Sequence, residues 1–388
     1  MSESAPVIRP SSSGRSLSVA VIGAGVIGLG IAWRLAAAGA RVAVFDQGAA
    51  GHAASHAAGG MLAACIETEP GEEWMLPLNR ESQLRWPAFT RELEAYTGQS
   101  VELRTEGTLV IGHTADDMAR LRFLHEFQIG LGLPIELLSG AETRKREPYL
   151  QPGVAGALYS REDHQVENRK LASALHAAVL KAGGRVHENT KVTRVELRGG
   201  RATGVWIGDA LHEADVVVLA AGSWSRGIEG LPASARPPVR PIKGQMLSLR
   251  MDPANPLLRH VLWTPTGYMV PRLDGRLLVG ATSEERGFDT TLTAGGIFSL
   301  LEGAWRAIPG VAELPIDEMW VGFRPGSRDD APILGFGDVE GLVYATGHHR
   351  NGILLVPVTA DAIARLILTG ETDPAVAAFG IQRFVEAG

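Results

Sequence analysis

The chain has 388 residues, 45% of them hydrophobic, and a formal net charge of −6, enough apolar material for two packed units and no basic excess to hold nucleic acid or an anionic membrane surface. A single cysteine, Cys65, excludes an internal disulfide and any cysteine-rich metal or iron–sulfur centre. Its scarcity suits a reducing compartment, so a cytoplasmic protein with a small-molecule partner is expected.

Residues 1–16 are rich in Ser and Pro and lack the apolar core of a signal peptide, so a disordered tail is expected. Next, Leu17 to Ile22 reads as a buried strand that runs into Gly23-Ala24-Gly25-Val26-Ile27-Gly28 and an Ala-rich helix ending near Ala38. In this pattern Gly23 permits the tight turn, Gly25 lets the backbone approach a pyrophosphate, and Gly28 lets helix pack on strand. The helix N-terminus then faces an anion. Arg41 to Phe45 reads as the second strand and ends at Asp46, placed to grip a ribose hydroxyl. Strand, glycines, helix, strand and acid together predict a dinucleotide-binding unit.

The run Ala53-Ala54-Ser55-His56-Ala57-Ala58-Gly59-Gly60-Met61 keeps one wall open for a flat ring and offers backbone N–H groups to it. Taken alone it also reads as a flexible loop or the start of an Ala-rich helix. Helices are expected over Asn79 to Tyr96 and Asp116 to Gly130. Alternation over Glu102 to Gly112, Arg240 to Leu249, Tyr268 to Arg272 and Arg276 to Gly280 predicts an antiparallel sheet with hairpins that these two helices cover. Val186 to Leu197 and Ala202 to Ile207, joined through Gly199-Gly200, read as a further hairpin. Val216 to Leu219, leading to Ala220-Ala221-Gly222, and Leu342 to Thr346, leading to Gly347, read as buried strands that each end on a glycine. A helix is expected from about Ile353, with Pro357 early in it. The Ile353 to Leu368 stretch is broken by Pro357, Thr359, Asp361 and Arg365, so no membrane span is expected.

With these residues in view, the chain resembles the amino-acid-oxidising flavoproteins of the D-amino acid oxidase superfamily, most nearly the glycine oxidases linked to thiamine biosynthesis. The resemblance rests on Gly23 to Gly28, Ser55 to Leu62, Val218 to Ser225 and Lys243-Gly244-Gln245. It continues through Tyr268 to Arg272, Gly322 to Gly326, and Gly347 to Leu355, in that order. It implies an α/β fold with a glutathione-reductase-like FAD-binding domain and an interleaved antiparallel-sheet substrate domain. The expected boundaries are 17–85, 155–232 and 328–388 for the first and 86–154 and 233–327 for the second.

The residues then expected at a non-covalent FAD are Gly23, Gly25, Val26, Ile27, Gly28, Asp46, Ser55, Ala58, Gly59, Gly60, Met61, Val192, Ala221, Gly222 and Trp224. Gly347, Arg350, Asn351, Gly352 and Ile353 complete the set, the helix that follows favouring the charged edge of a reduced flavin. Arg324 matches the family's carboxylate-binding arginine, and its planar guanidinium suits two parallel hydrogen bonds to a carboxylate. Tyr268 matches the active-site tyrosine and Arg350 a position at the flavin edge. His348 and His349 lack metal-ligand spacing and are expected only to shape their loop. His56 and His164 have no partner that sequence identifies, and Cys65 reads as a small buried hydrophobe.

The activity implied is hydride transfer from a small α-amino acid or amine (glycine, sarcosine or a D-amino acid) to flavin N5, with oxygen as acceptor and hydrogen peroxide as product. Ser283 stands where glycine oxidases tend to carry an apolar residue, which leaves the substrate open. A dehydrogenase with a non-oxygen acceptor, a flavin subunit of an electron-transfer complex and a homo-oligomer also stay open. An RNA-modifying role is disfavoured by the acidic charge.

Overall fold

The computed structural model describes residues 16–384, and the tail expected over 1–16 lies outside them except for Ser16. A six-stranded sheet has the order Ile333–Phe336, Leu342–Thr346, Val216–Leu219, Ser18–Ile22, Arg41–Phe45, Arg185–His187. All its pairings are parallel except that of Ile333–Phe336 with Leu342–Thr346.

Side chains alternate across this sheet because successive residues of a strand point to opposite faces. Val19 and Val21 pack with Leu29, Leu35 and Val358 in one core, while Ala20 and Ile22 pack with Val195, Val205 and Leu219 in another. The first core lies under the helices Val26–Ala37, Asn168–Lys181 and Val356–Thr369. Across the sheet, the second is closed by a three-stranded antiparallel meander, Val192–Arg198, Arg201–Ile207 and Ala210–Glu213. The central strand Val216–Leu219 is apolar and buried throughout because both faces are covered.

An eight-stranded sheet has the order Ile316–Gly326, Arg240–Arg250, Arg276–Gly280, Gly267–Pro271, Val261–Thr264, Thr108–Gly112, Gly156–Ser160, Ile135–Ser139. It is antiparallel except where Val261–Thr264 runs parallel to Thr108–Gly112, a junction the alternation did not foresee. Gly156–Ser160, which the expected boundaries put with the cofactor-binding pieces, belongs to this sheet.

The helix Leu76–Thr97 corrects a second expectation. It packs on the helices Val26–Ala37, Asn168–Lys181 and Val356–Thr369 rather than on the antiparallel sheet. Its buried Trp86, Phe89 and Leu93 join the core around Trp33. An apolar helix face specifies that it will be buried, not which layer buries it. The helix Ala115–Gly130 does cover the antiparallel sheet, started by a Thr114–Asp117 capping box. No helix among the described residues is long and apolar enough to cross a membrane.

Candidate active site

A cavity of about 1140 Å³ opens at the carboxyl ends of the central parallel strands and runs to the antiparallel sheet. At its first end Gly23 turns with φ +108°, and a Cβ there would stand 2.4 Å from the Ala220 carbonyl oxygen. Gly25 is the N-cap of the helix Val26–Ala37, which presents its first turn to the cavity. The Asp46 carboxylate accepts from the Ala24 N–H at 2.7 Å and the Gly48 N–H at 2.9 Å, which fixes it at the rim with lone pairs to spare.

The small-residue run forms one wall. Ala54–Ala57 is a single helical turn, and Ser55 Oγ accepts from the Val26 N–H at 3.1 Å. Asn168 Nδ2 donates to the carbonyls of Ser55 and His56, and Arg272 Nη2 donates to Gly59 O at 2.9 Å. Gly60 takes φ +69° where a Cβ would lie 2.1 Å from the Val166 carbonyl oxygen. Beyond Met61, the buried Asp163 accepts from the N–H groups of Cys65 and Ile66 and from Gln83 Nε2. Cys65 is fully buried, lies off the cavity lining, and receives Arg80 Nη1 at 2.9 Å.

A further stretch of the lining comes from the C-terminal loop. His349–Asn351 is a short 3-10 turn, the Leu355 N–H bonds to Asn351 O at 2.9 Å, and the regular helix starts at Val356. It starts three residues later than the expected Ile353, with Pro357 in its first turn. Trp86 Nε1 and Ser82 Oγ both donate to Leu354 O, so the helix Leu76–Thr97 holds this loop in place.

At the antiparallel-sheet end lie Tyr268 and Arg324. Tyr268 is buried against the open face of Gly59, where a Cβ would stand 3.1 Å from its ring, and burial raises its phenol above the ordinary value while Arg324 opposes the shift. The phenol is therefore protonated and able to donate. Arg324 is half-buried, and its Nη1 donates to Thr282 O at 3.1 Å. Among the described residues no carboxylate lies within 4.0 Å of its guanidinium. Arg350 differs in this respect: Nε meets Glu67 Oε2 at 3.3 Å and Nη2 meets Glu72. Burial pushes Glu67 up to about 7 against the opposing pull of Arg350. Burial lowers His348 to about 3 and His349 to about 4, so both rings are neutral near pH 7.

The family model described as FAD dependent oxidoreductase matches residues 18–366. The chain belongs to the FAD-dependent oxidoreductase family. This oxidoreductase is 40% identical over 375 residues to the bifunctional protein ThiO/ThiG of Synechocystis, which covers 95% of this chain and 54% of that one. It is 35% identical over 371 residues to the glycine oxidase of Geobacillus kaustophilus, covering 95% and 97%. The crystal structure of glycine oxidase from Geobacillus kaustophilus matches with a TM-score of 0.87 at 34% identity, covering 95% of this chain and 99% of that chain. The oxidoreductase thus spans about half the length of the bifunctional relatives it matches.

The lining suits FAD. Gly23, Gly25, Ala53, Ala58, Ala221 and Gly352 leave the cleft free of bulky side chains, and Gly222 takes φ +51° with open space where a Cβ would project.

Of the residues expected at the cofactor, Val26, Ile27, Asp46, Ser55, Ala58, Gly59, Gly60, Met61, Val192, Ala221, Gly222, Trp224, Arg350, Asn351, Gly352 and Ile353 line the cavity with Gly23 and Gly25. Gly28 and Gly347 do not. A Cβ on Gly28 would stand 2.0 Å from Gly23 O, so it serves helix–strand packing, and Gly347 sits behind the wall against Ile333 and Ser327. Sequence reasoning missed Glu67, Met246 and Trp263 in the lining, and Asp163 and Arg272 behind it. Met246 follows the quoted Lys243-Gly244-Gln245 and was within reach. Arg272 closes the quoted Tyr268 to Arg272 run and was likewise within reach, while Glu67, Trp263 and Asp163 carry no local signal.

Proposed function

We propose that this oxidoreductase oxidises the C–N bond of a small α-amino acid, glycine or its N-methyl relative sarcosine, to an imine that water hydrolyses to an oxoacid and the free amine. The observation that carries this reading is Arg324, a half-buried guanidinium facing the cavity with a backbone carbonyl but no carboxylate partner among the described residues. A partly desolvated cation in that state is completed by a carboxylate ligand, and its planar fork matches one with two hydrogen bonds. Arg350 is already matched by Glu67 and Glu72, so it serves as wall and not as the first carboxylate anchor.

Bound FAD supplies the two-electron acceptor at this site, with oxygen the proposed terminal oxidant and hydrogen peroxide the product. The chain's own residues orient and exclude. Gly25, Val26 and Ile27 at the helix N-terminus would hold the pyrophosphate, and Asp46 a ribose hydroxyl. Arg324 fixes the carboxylate and the Tyr268 phenol donates beside it, which leaves the α-carbon as the part of the substrate facing the cofactor. No protein base is assigned, because a neutral substrate amine carries the lone pair that assists loss of hydride. The position of Cys65 behind the lining supports a dissociable FAD, and acid precipitation should leave the yellow colour in the supernatant.

The relatives named glycine oxidase support glycine as substrate, and the likeness to the protein named ThiO/ThiG supports a place in thiamine biosynthesis. The buried, lone thiol supports a cytoplasmic setting. Replacing Arg324 with Ala tests the central assignment: the KM for glycine should rise about a hundredfold while FAD content holds. An unchanged KM would refute it.

A further inference from the structure

The triplet Lys243-Gly244-Gln245 lies in the strand Arg240–Arg250, beside the strand Ile316–Gly326 that carries Arg324. Gly244 faces Arg324: a Cβ there would stand 2.8 Å from Nη1 and 3.1 Å from Nη2, so only glycine leaves the guanidinium its present room. Lys243 and Gln245 point to the other face of the strand. There they grip an exposed segment, 282–293, that follows the neighbouring strand Arg276–Gly280.

The grip is extensive. Lys243, fully buried, donates through Nζ to Asp289 Oδ2 at 2.8 Å and to Thr291 O at 2.6 Å. Gln245 Nε2 donates to Glu284 Oε1 at 2.7 Å and to Thr293 Oγ1 at 3.0 Å, and Gln245 Oε1 accepts the Thr293 N–H at 2.7 Å. The Gln245 N–H reaches Thr282 Oγ1 at 2.9 Å, and that hydroxyl donates in turn to Glu284. Thr282 is the residue whose carbonyl receives Arg324 Nη1. Phe288, in the same segment, stacks on Trp224 at 5.0 Å between ring centroids and meets Phe323 edge-on.

A fully buried ammonium is a poor source of stability, because desolvation offsets most of what its ion pair returns. What such a group supplies well is a fixed geometry. We propose that Lys243 and Gln245 are positioning residues for substrate recognition: they brace segment 282–293 so that the Thr282 carbonyl holds the Arg324 guanidinium at the cavity. This rests on the reading of Arg324 as the carboxylate anchor. The hydrogen bond and charge of Lys243 also hold the Asp289 carboxyl well below the usual carboxylate range.

The test uses the FAD-loaded protein and acetate as a minimal carboxylate, followed by perturbation of the flavin absorbance, with KM and kcat for glycine measured alongside. Gln245→Leu, and the loop-side double variant Asp289→Ala with Thr293→Ala should Gln245→Leu not fold, are each expected to raise the acetate Kd and the glycine KM together by about tenfold. The kcat should stay within about twofold of wild type, a split that general loss of packing does not produce. Gln245→Glu, which can still accept from the Thr293 N–H, should fall between. A folded brace variant with wild-type acetate affinity overturns the proposal while Arg324→Ala still loses acetate. If Arg324→Ala also keeps wild-type affinity, the anchor reading itself has failed and the brace with it.

Discussion

Arg272 donates through Nη2 to the carbonyl oxygen of Gly59 at 2.9 Å, joining residues 213 positions apart and tying the antiparallel sheet to the wall of the cofactor cleft. The same side chain donates to Val166 O, Gln165 Oε1 and Asn168 Oδ1. Asn168 in turn holds the Ser55 and His56 carbonyls. One buried guanidinium therefore fixes the path of the segment that leads through Gly60 to Met61. Burial lowers it to about 10, so it still carries its charge at physiological pH.

Replacing Arg272 with Met should orphan several buried acceptors at once and destabilise the fold by about 3–5 kcal/mol. Thermal or urea denaturation of the variant checks this. FAD should also be retained more weakly, seen as a lower flavin-to-protein ratio after gel filtration, with the Ser55 to Met61 wall no longer tied down.

The two histidines of the C-terminal loop predict a loss of stability in acid. Burial lowers His348 to about 3 and His349 to about 4, against an ordinary value of 6.5. The unfolded chain therefore takes up protons that the folded chain refuses, so the stabilisation is full above about 6.5 and is lost as pH falls from there through the folded values. His348→Gln should flatten the fall in Tm between about pH 6.5 and 4.5. A slope equal to that of the wild type would contradict this.

Glu67 predicts the opposite trend. Its folded value, pushed up to about 7 by burial against the pull of Arg350, with Asp163 and Glu72 adding to the rise, lies above the ordinary 4.5. Its contribution is therefore full below about 4.5 and is lost as pH rises through about 7. Glu67→Gln should gain Tm relative to wild type at about pH 8, and the gain should vanish near pH 5. Thermal melts of the two proteins at both pH values decide it.

Three strands of the parallel sheet, Ser18–Ile22, Val216–Leu219 and Leu342–Thr346, were legible because they are short apolar runs that lead to glycine, whereas Val186, read into the hairpin, lies in the strand Arg185–His187 that pairs with Arg41–Phe45. The part of the cleft lining built from the small residues between Ala53 and Gly60 and from the strand ends at Gly23 and Gly222 was legible because those residues lie together in sequence. What sequence could not reach depends on distant pairings. Asp163 braces Cys65 and Ile66 from about a hundred positions away, and nothing near Asp163 marks it as a partner of that wall. Glu67 is an ordinary acid in Ile66-Glu67-Thr68 until the fold brings Arg350 to it. The helix Leu76–Thr97 was assigned to the wrong layer because its apolar stripe fits either sheet, and the choice is made by Trp86 and Phe89 meeting Trp33 and the C-terminal loop. Gly28 and Gly347 belong to the motifs but not to the lining, since one spaces a helix from a strand and the other turns the chain behind the wall.

The measurement closest to the central claim is the visible spectrum of the purified FAD-loaded protein under anaerobic conditions, before and after addition of glycine, then of sarcosine and D-alanine. Bleaching of the flavin bands by glycine or sarcosine is the predicted result, and it should demand far higher substrate concentrations in Arg324→Ala. Flavin bands that persist unchanged with all three compounds would contradict the assignment of a small α-amino acid as substrate.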